Sequence, residues 1–114
     1  MKVIRIEELP KKTPPNHYHM FVRSIADPSM GAKAINTGLA RLEPNGRADP
    51  HVHEHAEQLF IVLKGEMMMK TEGQEVRLKQ GDAALVFPGE VHENYNLSEG
   101  ETEYMTVTVN VPEG

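Results

Sequence analysis

Cysteine is absent from the sequence. That excludes disulfides, thiolate metal ligands and a cysteine nucleophile, and makes a reducing cytoplasm the expected compartment. No basic run extends beyond Lys11-Lys12, and the formal net charge is −5 with a pI near 5.6. Nothing therefore suggests a phosphate-binding surface for nucleic acid. Anionic small molecules stay open, because one local arginine outweighs a modest global charge. No stretch approaches the roughly 20 apolar residues of a membrane helix. The start, Met1 to Glu8, is too polar and too short for a secretory signal. Also missing are a Gly-rich phosphate loop, a Ser-His-Asp order and a nucleotide fingerprint.

What remains is an ordinary globular composition, 39% hydrophobic and 25% charged over 114 residues. This suffices for one domain with thin margins, which oligomerisation would widen. Gly or Pro interrupts nearly every window that might be helical. Between these breaks, β-type runs are expected at 17–26, 34–42, 58–63, 66–71, 75–78, 83–87 and 104–111. In the last, Val107, Val109 and Val111 alternate with Thr106, Thr108 and Asn110, the period of a half-buried strand. Short strands with tight turns predict an all-β sandwich or small antiparallel β-barrel. Residues 1–15 are expected to form an edge strand or arm ending at Pro14-Pro15, ahead of a single domain at 16–114.

Gln58, Phe60 and Val62 share one face of their run, and Leu59, Ile61 and Leu63 the other. Both faces are apolar, so both need cover. One can line a barrel; a homodimer is the economical cover for the other.

The chemistry concentrates in His51-Val-His53-Glu-His55-Ala-Glu57-Gln58. His-x-His on a strand puts two imidazoles on one face, about 6.5–7 Å apart at Cα, close enough to converge on one ion. These residues also sit at several fixed distances from others. Gly46, His51, His53, Gln58 and Gly65 resemble the first cupin motif, and Gly81, Gly89, His92 and Asn96 the second. The sequence thus resembles a small single-domain cupin, which implies an antiparallel jelly-roll β-barrel. It also implies one divalent transition metal on His51, His53, Gln58 and His92, with Zn, Ni, Fe, Mn, Co and Cu all admissible.

Three departures from the motifs stand out. Four residues rather than five separate Gly46 from His51, Phe87 replaces an expected Pro, and Gln58 stands where the family has a ligating Glu. Glu57 is the alternative carboxylate ligand, but a shift of one residue points a strand side chain to the opposite face. Gln58 shares parity with Phe60 and Val62, and is preferred. A neutral amide would leave the ion a net dication, a better Lewis acid with more pull on anions.

Other residues carry weaker signals. His55 reads as an exposed turn residue or a partner of the ligands. His17 and His19 form a second His-x-His without partners, better suited to a pocket rim or proton transfer than to ligation. Met67 and Met69 are expected inside as flexible filling. Arg23 and Arg41 could clamp a carboxylate, and Tyr95 or Tyr104 could supply a phenol. The cupin fold hosts dioxygenases, isomerases, decarboxylases and binding proteins alike, so the resemblance does not fix an activity. The leading expectation is a metal-dependent isomerase, lyase or dioxygenase acting on a small oxygenated molecule such as a sugar acid, keto-enol or polyphenol. The rival is a non-catalytic small-molecule binding or sensing module.

Overall fold

The computed structural model describes residues 1–112. Eight strands follow in order: β1 (His17–Ala26), β2 (Ile35–His51), β3 (Ala56–Lys64), β4 (Glu66–Thr71), β5 (Gln74–Lys79), β6 (Ala83–Val86), β7 (His92–Asn96) and β8 (Thr102–Asn110). Every pairing is antiparallel, in the order β5-β4-β7-β2-β8-β3-β6, with β1 also on β2. The result is the nearly closed β-barrel expected from the closely spaced strands. The remaining regular structure among the described residues is two short 3-10 turns, at Ile6–Glu8 and Pro28–Met30.

The 17-residue β2 is the spine. Its first half, Ile35 to Leu42, pairs with β8, and its second, Arg47 to His51, pairs with β7. A bend at Glu43–Gly46 lets one strand serve both halves of the barrel. Gly46 is required there, because a Cβ would lie 2.5 Å from the His19 carbonyl oxygen. Asn96, matched to the second motif, holds the same corner. Its Nδ2 donates to the Glu43 and Gly100 carbonyls at 3.0 and 2.8 Å, and its Oδ1 accepts from the Thr102 hydroxyl at 2.7 Å.

Two expectations need correction. The run expected at 34–42 continues through Pro44, Gly46 and Pro50 to His51. Proline can sit in β2 where the strand bends or bulges and no ladder donor is needed. No run at 92–96 is among those expected, since His92-Glu-Asn-Tyr-Asn of β7 has little apolar alternation to betray it. Within 1–15 the structure shows the 3-10 turn and an isolated bridge from Lys12 to Val22.

At one end of the barrel the inward side chains make an apolar core of Leu42, Phe60, Val62, Met67, Met69 and Tyr104, each no more than 4% exposed. Met67 and Met69 are thus core filling, as their alternation implied. The outward face of β2, β8, β3 and β6 is apolar too. Leu85, Leu59 and Val107 form one row across it, and Ala83, Ile61, Met105 and Leu39 the next.

Candidate metal centre

Two β-bulges aim the histidines. Along the second half of β2, Ala48 faces inward, and strict alternation would send His51 outward. The register slips between Ala48 and His51, so His51 lies opposite His92 of β7 and both rings turn inside. A second slip in β1, between Tyr18 and Met20, coincides with His19 at φ 51°. It breaks the parity of the early His-x-His pair. His17 lines the interior with its ring centroid 5.6 Å from that of His51, whereas His19 is exposed.

His53 lies just past the end of β2, not on a strand. Its backbone carbonyl accepts from Gly89 N–H at 2.9 Å. That bond ties the His51–His53 segment to the turn carrying His92, and Gly89 makes the turn at φ +80°, where residues with a Cβ are strained. The ring centroids of His51 and His92 are 4.1 Å apart, with His53 at 5.3 Å from the first and 5.6 Å from the second. One ring nitrogen from each of the three falls within 4.8 Å of the others.

The tautomers are fixed by the backbone. His51 Nδ1–H donates to the Asp49 carbonyl at 2.8 Å, and His92 Nδ1–H to the Glu90 carbonyl at 3.1 Å. With Nδ1 engaged in this way, each ring is left with Nε2 as the nitrogen available to a ligand, the arrangement that suits a metal site. Burial lowers His92 to about pH 4 from its ordinary 6.5, with His51 and His53 nearby adding to the effect. Burial, then the neighbouring His51, also lowers His53. Both imidazoles are thereby held neutral near pH 7.

Gln58 and Glu57 part company here. Gln58 lines the same cavity as His51 and His53, while Glu57 is exposed on the opposite face of β3. Gln58 Nε2 donates to the hydroxyl of Thr108, directly opposite on β8, at 3.0 Å. That bond orients the amide and leaves Oε1 buried with no partner. His92 Nε2 is likewise buried and unpartnered. Such atoms cost about 1–3 kcal/mol each when nothing satisfies them. Both carry lone pairs, so the donor set fits a cation of the kind that imidazole and oxygen ligands hold.

The cavity has a volume of about 410 Å³. Phe60 and Tyr104 close its inner end, their ring centroids 5.7 Å apart. Thr106, Thr108 and Asn110 of β8 line one wall, so it is the polar face of that strand that points inward here. None of the lining residues is Asp, Glu, Lys or Arg.

Several candidates lie elsewhere. Arg41 is on the outer face, paired with Glu101 at 3.2 Å and Glu103 at 3.0 Å; the Glu103 hydrogen bond raises it further. Arg23 donates to the Leu9 carbonyl at 3.3 Å and meets Glu7 at 4.0 Å. Neither arginine lines the cavity. His55 is exposed in the β2–β3 turn, where its carbonyl accepts from Val111 N–H. Tyr95 is half-buried beside Lys70. Tyr104 is buried, and that burial pushes its phenol up to about 12. Asn94 is one of the cavity residues that sequence reasoning missed, with Ser24 and Asn36. Its spacing, two residues after His92 on one strand face, was the available signal.

Residues 38–108 match the cupin domain family. The chain belongs to the cupin family. That family typically binds a metal, and the three histidines of this cupin are compatible with one. Over 67 residues it is 39% identical to the quercetin 2,3-dioxygenase of Bacillus subtilis, covering 58% of this chain but 20% of that protein. It is 27% identical over 81 residues to an oxalate-binding protein of Thermotoga maritima, covering 71% of this chain and 67% of that one. The cupin thus spans only a fifth of the dioxygenase. Among solved structures, the polyketide cyclase RemF from Streptomyces resistomycificus superposes with a TM-score of 0.83 at 22% identity. The match covers 100% of this chain and 87% of that one, and at such identity it shows the shared fold. No helix among the described residues is long and apolar enough to cross a membrane.

Proposed function

We propose that this cupin is a metal-dependent enzyme for a small oxygenated molecule, its ion held by His51, His53, Gln58 and His92. The observation that carries the reading is the pair of buried, unpartnered lone-pair atoms, Gln58 Oε1 and His92 Nε2, beside two further inward imidazoles. A bound divalent ion supplies Lewis acidity, and redox chemistry as well if it is iron or manganese. The chain's own part is binding and orientation. His51 and His92 are held in one tautomer by the Asp49 and Glu90 carbonyls. Gln58 contributes oxygen without charge, so a dication is left to attract an anionic or enolisable ligand. Phe60 and Tyr104 keep water from the inner end.

The relatives support oxygenated ligands without choosing a reaction, one being named a dioxygenase and another oxalate-binding. Isomerase or lyase chemistry and dioxygenase chemistry both fit the reading. The binding-module alternative is favoured by one observation, that no carboxylate or lysine lines the cavity to move a proton. Elemental analysis of untagged, anaerobically purified protein beside His51→Ala and Gln58→Ala tests the centre. About one equivalent of a transition metal, lost in His51→Ala and reduced in Gln58→Ala, is expected. No metal after reconstitution with several ions would sink the reading. A panel of ketoacids, uronates and catechols then separates enzyme from binder: turnover supports the first, spectral change without turnover the second.

We also propose a homodimer through the outer sheet face, whose rows of Leu59, Leu85, Val107, Ile61 and Met105 need cover beyond what one chain gives them. Leu85 is 49% exposed there. Light scattering should report twice the chain mass at micromolar concentration and single chains for Leu85→Glu; a wild-type monomer would end the idea. Residues 1–15 are taken as an arm on the 16–114 domain, and the cytoplasm as its compartment.

A further inference from the structure

Among the described residues, three buried side-chain polar atoms lack a hydrogen-bond partner, and they are not alike. Gln58 Oε1 and His92 Nε2 offer lone pairs. The third, Asn94 Nδ2, offers only N–H donors. A cation satisfies the first two and does nothing for the third, whose hydrogens carry partial positive charge. Asn94 nonetheless belongs to the same place. It follows His92 by two residues on the inner face of β7, is 1% exposed, and lines the cavity with His51, His53 and Gln58. Tyr104 is a neighbour of the same side chain, yet Asn94 Nδ2 meets no partner at hydrogen-bonding geometry.

We infer that Asn94 is a ligand-recognition residue, its Nδ2 donating to an oxygen of a small chelating oxyacid held at the centre. This deepens the proposed function and rests on its metal reading. The class of ligand follows from two features. The donor calls for an acceptor oxygen next to the atoms that face the ion. The lining contains no Asp, Glu, Lys or Arg, so any anionic charge must be balanced by the dication alone. An α-hydroxy acid, an α-keto acid or oxalate meets both conditions, having two oxygens for the ion and another left for the amide. A polyanion such as a sugar bisphosphate does not.

The test uses the full chain loaded with Co(II), whose visible spectrum reports ligands at the centre. Oxalate and azide are titrated into wild type, Asn94→Leu and Asn94→Ser. The leucine removes the donor at similar volume; the serine withdraws it from reach and serves if the leucine variant does not fold. Oxalate affinity should fall about tenfold or more, the worth of one good hydrogen bond. Cobalt stoichiometry should stay within twofold, and azide, which meets the ion through one nitrogen and does not chelate, should lose less affinity than oxalate. Oxalate binding unchanged in folded, cobalt-loaded variants would overturn the role of Asn94 while leaving the metal reading intact. A wild type that takes up no cobalt would overturn both.

Discussion

The two ends of this barrel are built from the same eight strands and obey opposite rules. At the closed end, inward positions are filled by Leu42, Val62 and Met67, all 1% exposed or less, and outward positions carry much of the charge, such as Arg41 with Glu101 and Glu103. At the open end the inward positions are imidazoles, amides and hydroxyls, while Val107 and Val109 of β8 point outward. β8 passes from one regime to the other between Tyr104 and Thr106. The closed end gains stability by removing apolar area from water. At the open end the fold instead leaves three buried polar atoms unpaired, Gln58 Oε1, His92 Nε2 and Asn94 Nδ2. Apolar packing and unpaired polar atoms are thus separated along the barrel axis, with Phe60 between them, its ring 5.7 Å from both His92 and Tyr104.

That separation can be broken from either end. The largest effect is expected at the closed end: Leu42→Ala should cost about 2–5 kcal/mol in denaturant unfolding, because the cavity has no room to collapse. Next comes acid. The metal-free protein holds His92 neutral down to about pH 4, against 6.5 for the unfolded chain. Between those values the unfolded chain takes up a proton that the folded one refuses. Stability is therefore full above about pH 6.5 and falls by roughly 3 kcal/mol as pH drops to 4. Urea midpoints across that range check the sign, and His92→Phe should flatten the slope.

Smaller changes sharpen the comparison. Gln58→Leu should leave metal-free stability within about 1 kcal/mol of wild type or raise it, since it removes an unsatisfied oxygen. The same change should weaken metal binding by tenfold or more in a chelator competition. Thr108→Val frees the Gln58 amide from its one anchor and should weaken metal binding about tenfold or less. Glu57→Gln, on the opposite face of the same strand, should change neither quantity. Equal losses in Glu57→Gln and Gln58→Leu would show that the two faces of β3 do not differ as described.

Much of the centre was legible because strand parity is strict. Gln58, Phe60 and Val62 share a face by their spacing alone, and Met67 and Met69 likewise. Parity failed where bulges intervene. Asp49-Pro50 face a single residue of β7, and His19 faces the four-residue bend of β2; no local pattern announces that such slips will turn His51 and His17 to the same side. The strand β7 escaped notice because its inward residues, His92 and Asn94, are polar, and hydrophobic periodicity is the signal by which strands are recognised.

The sequence by itself determined the family, the barrel and the identity of the imidazoles, since these follow from spacings along the chain and from side-chain chemistry. Tertiary structure decided which ring nitrogen of His51 and His92 meets a backbone carbonyl, that Arg23 and Arg41 serve the surface, and that Asn94 joins the cavity. Those outcomes depend on which carbonyl, carboxylate or phenol a distant strand brings alongside, and a long-range register is invisible in local periodicity.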